Sequence, residues 1–390
     1  MENSPSIFSA IKIGFIGDVF LGGEYLRYAQ EKKLDHDYPF ENFKEELSNN
    51  DILFFNLEGP IFKGNEVRKG VTSILSNHPA ILDFAKCVPI CIANLANNHI
   101  MDYGAEGLLE TMRLLDTHNI YHVGVGANCK EASREVVMEC KNRKIAVLSY
   151  ADGEAHVGAV IAGDNNAGCS SFRDVEEIEN RIRELKSKED IKVFVSLHWG
   201  YEYFSYPSIE QVEIAHRLVD AGADFIIGHH PHVIQGIEEY KNSLIAYSLG
   251  NFFLPPVRMK NGRMEHRRKI SQECVVLKIE LGEDGSFKYN VKPGYVSRKY
   301  KLTKYDNNRE NKFNADLRRL SGVFNNMNYS QFVNEYYTKR KKQMEIDDII
   351  EAAKKLYKTP LIELIKTINI YDIKRNAGRL LKIISFNKNA

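Results

Sequence analysis

The chain has 390 residues, of which 43% are hydrophobic and 27% charged. That composition excludes wholesale disorder, and the length suits one large domain with an appendage, or two domains. Lys+Arg number 53 against 52 Asp+Glu, which argues against a generally basic nucleic-acid binder, and six cysteines without a CxxC pair exclude both a disulfide scaffold and a cysteine-rich zinc module.

The opening stretch MENSPSIFSAI contains no Lys or Arg, and no run reaches the roughly 20 apolar residues of a membrane helix. The expected location is the cytoplasm, or the inner face of the membrane as a peripheral protein. Short apolar runs then alternate with helical patterns. The runs are Ile11 to Gly17, Ile52 to Asn56, Pro89 to Asn94, Lys144 to Tyr150, Lys192 to Leu197, Phe225 to Gly228 and Leu244 to Ser248. They do not alternate apolar with polar, as expected of strands buried on both faces. The helical patterns are Gly104 to His118, Val175 to Ser187 and Ser208 to Ala221. Strands alternating with helices predict an α/β fold. Glu273 to Val296 reads as a hairpin around Gly-Glu-Asp-Gly.

Beyond residue 300 the character changes. Lys and Arg outnumber Asp and Glu 19 to 10 there, and Ile346 to Tyr357 and Leu361 to Ile368 show helical periodicity. The expected division is a domain over 10–297 and a basic helical C-terminal extension over 298–390. The extension either packs solvated helix faces on the core or meets an acidic surface, such as lipid headgroups or an envelope-biosynthesis partner. A second basic stretch, Leu254 to Ile270, is read either as a cationic lid or as a solvated loop.

The chemistry-bearing residues follow the strands, where open α/β sheets bind ligands. Asp18 follows the first run, Glu58 the second, and Asn97-Asn98-His99 the third. His198 follows the fifth run and His229-His230-Pro231-His232 the sixth. Carboxylates, amides and imidazoles together form a donor set for borderline divalent ions such as Mn, Zn or Fe. Three imidazoles in four residues have no obvious packing purpose. No GxxxxGK[ST] loop, GxGxxG turn or GxSxG elbow is present.

The blocks GDVFLG (17–22), NLEGP (56–60), ANNHIMDYG (96–104), HWGYEY (198–203), AGADFIIGHHPHVIQGIE (221–238) and YSLGNFF (247–253) resemble the CapA family. This is the poly-γ-glutamate capsule-biosynthesis family of the calcineurin-like metallophosphoesterase superfamily. The likeness covers roughly 10–297. It implies a four-layer α/β/β/α sandwich of the metallophosphoesterase type, with one or two divalent metal ions per chain. By the same resemblance, the metal ligands would be Asp18, Glu58, Asn98, His198, His230 and His232. His99 would be the general acid, oriented by Asp102. Phe20 stands where the superfamily's first motif has a histidine, and Glu58 stands where it has a bridging aspartate.

The implied activity is metal-dependent hydrolysis of a phosphoester or related anionic substrate, small or polymeric, in capsule or envelope polymer biosynthesis. Two alternatives stay open: an accessory or amide-forming component of poly-γ-glutamate-type synthesis, and a non-catalytic module that binds metal or polymer.

Overall fold

The computed structural model describes residues 10–71, 73–188, 190–259, 262, 264–265, 269–324 and 328–358. The chain divides into two compact units, Met1–Met327 and Asn328–Ala390. The second contains the helix Tyr329–Lys358. The predicted helix over 361–368 lies outside the described residues. No described helix is long and apolar enough to cross a membrane.

Two large sheets form the core of the first unit, beside two small two-stranded ones among the described residues. One has eight strands, with Ile11–Val19 near its middle. Ile11–Val19, Ile52–Leu57, Ile90–Asn94 and Tyr121–Val123 run parallel. On the other side of Ile11–Val19, the antiparallel strands Glu273–Leu281, Phe287–Val296 and Leu302–Lys304 complete the sheet. The unit therefore extends past residue 297, because Leu302–Lys304 pairs with the hairpin and Leu302 is fully buried. The second sheet has six strands, and its centre is the parallel set Arg143–Ala151, Ile191–His198, Phe225–His229 and Ser243–Ala246. Val136–Cys140 and Ile237–Tyr240 add antiparallel edges.

The central strands of each sheet are buried on both faces, which explains the unalternated apolar runs. Between the sheets lie Ile13, Phe15, Phe54, Ile92, Val147, Phe194, Phe225 and Ile227. On the outer face of the first sheet, Leu53, Phe55 and Ala93 pack against Tyr25 of the helix Gly23–Lys32 and Leu108 and Leu115 of the helix Gly104–Thr117. On the outer face of the second, Val193, Val195 and Ile226 pack against Ile178 and Ile182 of Val175–Lys188 and Leu218 of Ile209–Asp220. The result is helix, sheet, sheet, helix: the four-layer α/β/β/α sandwich implied by the sequence resemblance.

Residues on one face of a strand recur every second position. Reading only the inner face, each central strand runs apolar and then turns polar at its C-terminal end. Ile52 and Phe54 lead to Asn56, and Ile90 and Ile92 lead to Asn94. Ile145 and Val147 lead to Ser149, Phe194 leads to Ser196 and His198, and Phe225 and Ile227 lead to His229. The inter-sheet layer is thus oil at one end and a polar nest at the other.

Ile11–Val19 reaches the nest only through a bulge. Its pairing with Ile52–Leu57 slips between Ile16 and Asp18. Ile16 and Val19, an odd number of residues apart, both face the outer core. The extra residue, Gly17, switches the face and turns Asp18 inward beside Asn56. A Cβ at Gly17 would lie 1.9 Å from the Gly250 carbonyl oxygen, so only glycine fits this bulge.

The same constraint holds at Gly228, where a Cβ would sit 1.8 Å from the Tyr247 carbonyl oxygen and 2.8 Å from Trp199 Nε1. Neither can retreat, because Trp199 and Tyr247 are fully buried and Trp199 Nε1 donates to the Tyr247 carbonyl at 3.1 Å. Gly228→Ala is therefore expected to cost about 3 kcal/mol or more through overpacking. Urea unfolding of the variant beside wild type measures this, and an unchanged midpoint would refute the close-packing account.

Candidate metal centre

Asp18, Glu58, His198, His229, His230 and His232 all lie in the polar nest, and none is more than 2% exposed. One ligand atom from each of Asp18, Glu58 and His232 falls within 4.8 Å of the others, the arrangement a single cation needs. Asp18 Oδ2 lies 3.1 Å from His232 Nδ1, and Glu58 Oε1 lies 3.7 Å from His232 Nε2. The His198 and His230 rings are 4.9 Å apart, and the His230 and His232 rings 5.9 Å. His198 Nε2 meets Asn98 Oδ1 at 3.0 Å. All six residues expected as ligands therefore surround one pocket.

The backbone holds the imidazoles at a cost. His230 has φ 93° and His232 φ 56°, in the left-handed region that non-glycine residues seldom occupy. Such strain persists only where the surroundings impose it, and it concentrates at functional sites. The strand Phe225–His229 ends in register with His198, and Pro231 between the two strained residues accepts the Tyr203 N–H at 2.7 Å.

A ladder of amides supports the carboxylates. Asn56 Nδ2 donates to Asp18 Oδ1 at 2.8 Å, and Asn94 Nδ2 donates to Asn56 Oδ1 at 2.9 Å. The Ser149 hydroxyl donates to Asn94 Oδ1, which joins the two sheets. Asn77 Nδ2 donates to the carbonyls of Glu58 and Gly59, and Asn97 Nδ2 to that of Leu57. Asn251 Oδ1 meets His232 Nδ1 at 2.8 Å, which fixes that nitrogen and turns Nε2 toward Glu58.

The electrostatics follow from burial. Burial opposes the charge on Asp18, but His229 and His232 beside it hold the carboxyl well below the usual carboxylate range. Burial also opposes the charge on His232, yet Glu58 and Asp18 outweigh it and push this imidazole up to about 10. Burial, with His232 next to it, drives His230 down to about 3. His198 falls well below its ordinary value for the same reason, with His230 as its neighbour. The pocket therefore has two carboxylates that attract a cation and two imidazoles that stay neutral with their lone pairs available.

Among the described residues, both ring nitrogens of His230 and Nδ1 of His198 are buried without a hydrogen-bond partner. Leaving a buried polar atom unpaired costs roughly 1–3 kcal/mol, so these atoms await a ligand. Oxygen donors and neutral imidazoles together fit a divalent ion.

The half-buried edge of the pocket carries His99. Its Nδ1 lies 2.8 Å from Asp102 Oδ2, which also accepts the Leu75 N–H at 2.8 Å. Burial disfavours the charge on His99, but Asp102 and Glu58 outweigh it and raise its pKa.

Sequence reading did not single out His229, although its Nδ1 lies 3.4 Å from Asp18 Oδ1 and its ring stacks on Phe54. It sat in the quoted His cluster, but no spacing rule marks which member supports Asp18. Asn56 and Asn251 were visible as strand-end amides without an assigned task. Phe20 is sealed in an apolar cluster with Leu75, Leu254 and Val257, so that position contributes no ligand. Of the basic stretch 254–270, Lys260, Arg263, Arg267 and Arg268 lie outside the described residues. Arg258 approaches Glu24 at 3.6 Å and donates to the Gly262 carbonyl at 3.1 Å.

Comparison with known proteins fits this picture. The family model described as "Bacterial capsule synthesis protein PGA_cap" matches residues 12–255. A capsule biosynthesis protein CapA of Bacillus anthracis is 34% identical over 245 residues, 61% of this chain. The match spans 58% of that relative's length. A PGA biosynthesis protein CapA of Bacillus subtilis is 32% identical over 292 residues, 74% of this chain and 72% of that protein. Among solved structures, a phosphatase from Mycoplasma pneumoniae aligns with TM-score 0.44 and 13% identity, covering 73% of this chain and 93% of its own. With its six sequence blocks gathered around one pocket and a family model matched across most of the first unit, the chain belongs to the PGA_cap family of bacterial capsule synthesis proteins.

Proposed function

We propose that this protein is a divalent-metal-dependent hydrolase acting on a phosphoester or related anionic substrate in the making of a capsule-type polymer. One observation carries the reading: Asp18, Glu58 and His232 converge in a buried pocket whose neighbouring imidazoles, His198 and His230, are neutral and include unpaired ring nitrogens. Asp18, Glu58 and His232 would hold one ion, with Asn98, His198 and His230 available to it or to a second. A divalent ion there supplies Lewis acidity toward a phosphoryl oxygen and makes water a nucleophile near neutral pH.

The chain's own residues do the rest. His99, held protonated by Asp102, donates a proton from Nε2 to the departing oxygen. Asp102 fixes the ring through Nδ1 and is itself fixed by the Leu75 N–H. The buried walls exclude bulk water, so each charge interaction is stronger than it would be in solvent. A second reading, an accessory component that binds metal without turnover, draws support from Phe20, whose apolar cluster leaves Asp18 without a neighbouring imidazole from its own strand.

Metal analysis by plasma mass spectrometry tests the first reading. Reconstituted wild type is expected to retain at least one Mn, Zn or Fe per chain, and Asp18→Ala and His230→Ala are expected to lose most of it. No retained metal would end the proposal. His99→Ala is expected to keep its metal but lose about 10²–10⁴-fold in phosphoester hydrolysis. Metal retention without turnover in wild type would favour the accessory reading.

The pH dependence has a definite sign. In the metal-free pocket His232 carries a proton up to about pH 10, and a cation must displace it. Apparent metal affinity should therefore rise with pH, by up to about tenfold per unit between pH 7 and 9. Titration calorimetry across that range checks this, and a flat or falling profile contradicts the role given to His232.

A further inference from the structure

A second imidazole stands close to this pocket, and neither the metal set nor the proton donor uses it. His156 lies in the loop that follows the strand Arg143–Ala151. The loop starts at the metal centre, since the Asp152 N–H donates to the carbonyl of His198 at 3.0 Å. Asp152 is 2% exposed and anchors the loop. Its Oδ1 accepts from Arg173 Nε at 3.1 Å and Nη2 at 2.7 Å, and from the Glu154 N–H at 2.9 Å. Its other oxygen, Oδ2, lies 3.3 Å from His156 Nε2.

The ring is held from its face as well. His156 stacks on Tyr201 with centroids 4.3 Å apart and planes 20° off parallel. Tyr201 comes three residues after His198, so the stack stands beside the metal ligands. Arg68 ties the loop to the opposite wall. Its Nη2 donates to Gly158, two residues past His156, and its Nη1 donates to the carbonyl of Asn98. The ring lies near enough to His230 to disfavour that residue's charged form. Yet the His156 side chain remains 27% exposed while the metal set is sealed. A buried carboxylate, an aromatic face and a loop pinned by Arg68 thus hold a solvent-accessible imidazole beside the metal ligands.

We propose that His156 is a substrate-contacting residue, whose partly exposed ring, set between Asp152 and Tyr201 beside the metal ligands, donates through Nδ1 to an oxygen of a bound phosphate group. Nε2 lies on the Asp152 side of the ring, 3.3 Å from Oδ2, which leaves Nδ1 as the nitrogen offered to a ligand. The ring then stands between Asp152 behind it and the oxyanion before it, and the two negative groups never meet. This assignment rests on the metal-centre reading above. It extends that reading from the ions to the outer side of the substrate.

Calorimetric titration of inorganic phosphate into the Mn-loaded full chain tests the assignment, with Mn binding measured separately. His156→Ala is expected to weaken phosphate binding about tenfold, the scale of one charge-assisted hydrogen bond, with Mn binding and melting temperature unchanged. His156→Asn, whose amide nitrogen takes the place of Nδ1, is expected to recover most of the loss. Unchanged phosphate affinity in His156→Ala, or loss of Mn in that variant, overturns the assignment and leaves the metal centre standing. Wild type that takes up Mn but no phosphate also overturns it. Wild type that takes up no Mn removes the metal-centre reading, and His156 with it.

Discussion

Two carboxylates, Asp18 and Glu58, are buried to zero exposure a few ångströms from one imidazole ring. An isolated ionised carboxylate in a protein interior is so costly that it normally takes up a proton or finds a partner. Here Asp18 remains charged because His229 and His232 face it, and His232 remains charged because Glu58 and Asp18 face it. Every other property of the pocket follows from this mutual dependence. Positive charge is favoured on His232 and disfavoured on the neighbouring rings of His198 and His230.

The fold makes such a nest affordable by changing the chemistry of one layer along its length. The same inter-sheet space is filled by Phe15, Phe54, Phe194 and Phe225 at one end and by amides and imidazoles at the other. The aromatic end supplies the burial that holds the sheets together. The amide ladder from Asp18 through Asn56 and Asn94 to Ser149 ties the polar end together across both sheets. A buried hydrogen-bonded network of this kind stiffens the walls around the strained His230 and His232.

Much of this was legible in the sequence. The seven apolar runs are strands, the three helical patterns are helices, and the strand-end residues share one pocket, because burial on both faces and ligand placement at strand ends both leave local marks. The edges were less legible. Val136–Cys140 turns into Arg143–Ala151 through Lys141 and Asn142, both with positive φ, and a Lys-Asn pair is a weaker hairpin signal than Asn-Gly. The strand Leu302–Lys304 is only three residues long, and pairing with the hairpin is what makes it a strand. The Gly17 bulge looked like an ordinary glycine before an aspartate, since the slip exists only relative to the partner strand. His156 had no motif at all: its partners Asp152, Arg173 and Tyr201 come together only in three dimensions.

The central place of Ile11–Val19 has a bearing on how the protein is made. The strand is synthesised well before one of its neighbours, Glu273–Leu281, and Asp18 sits in register with Asn251. During synthesis the N-terminal strand must wait for more than two hundred further residues before its sheet closes. Until then its apolar face lacks a partner on that side, and Asp18 is an ordinary solvated carboxylate. Pairings this distant in sequence are slow to form and leave the nascent chain prone to aggregation. The carboxylates are thus gathered in one of the last folding events, and a chain cut short before Leu281 has no pocket to fill.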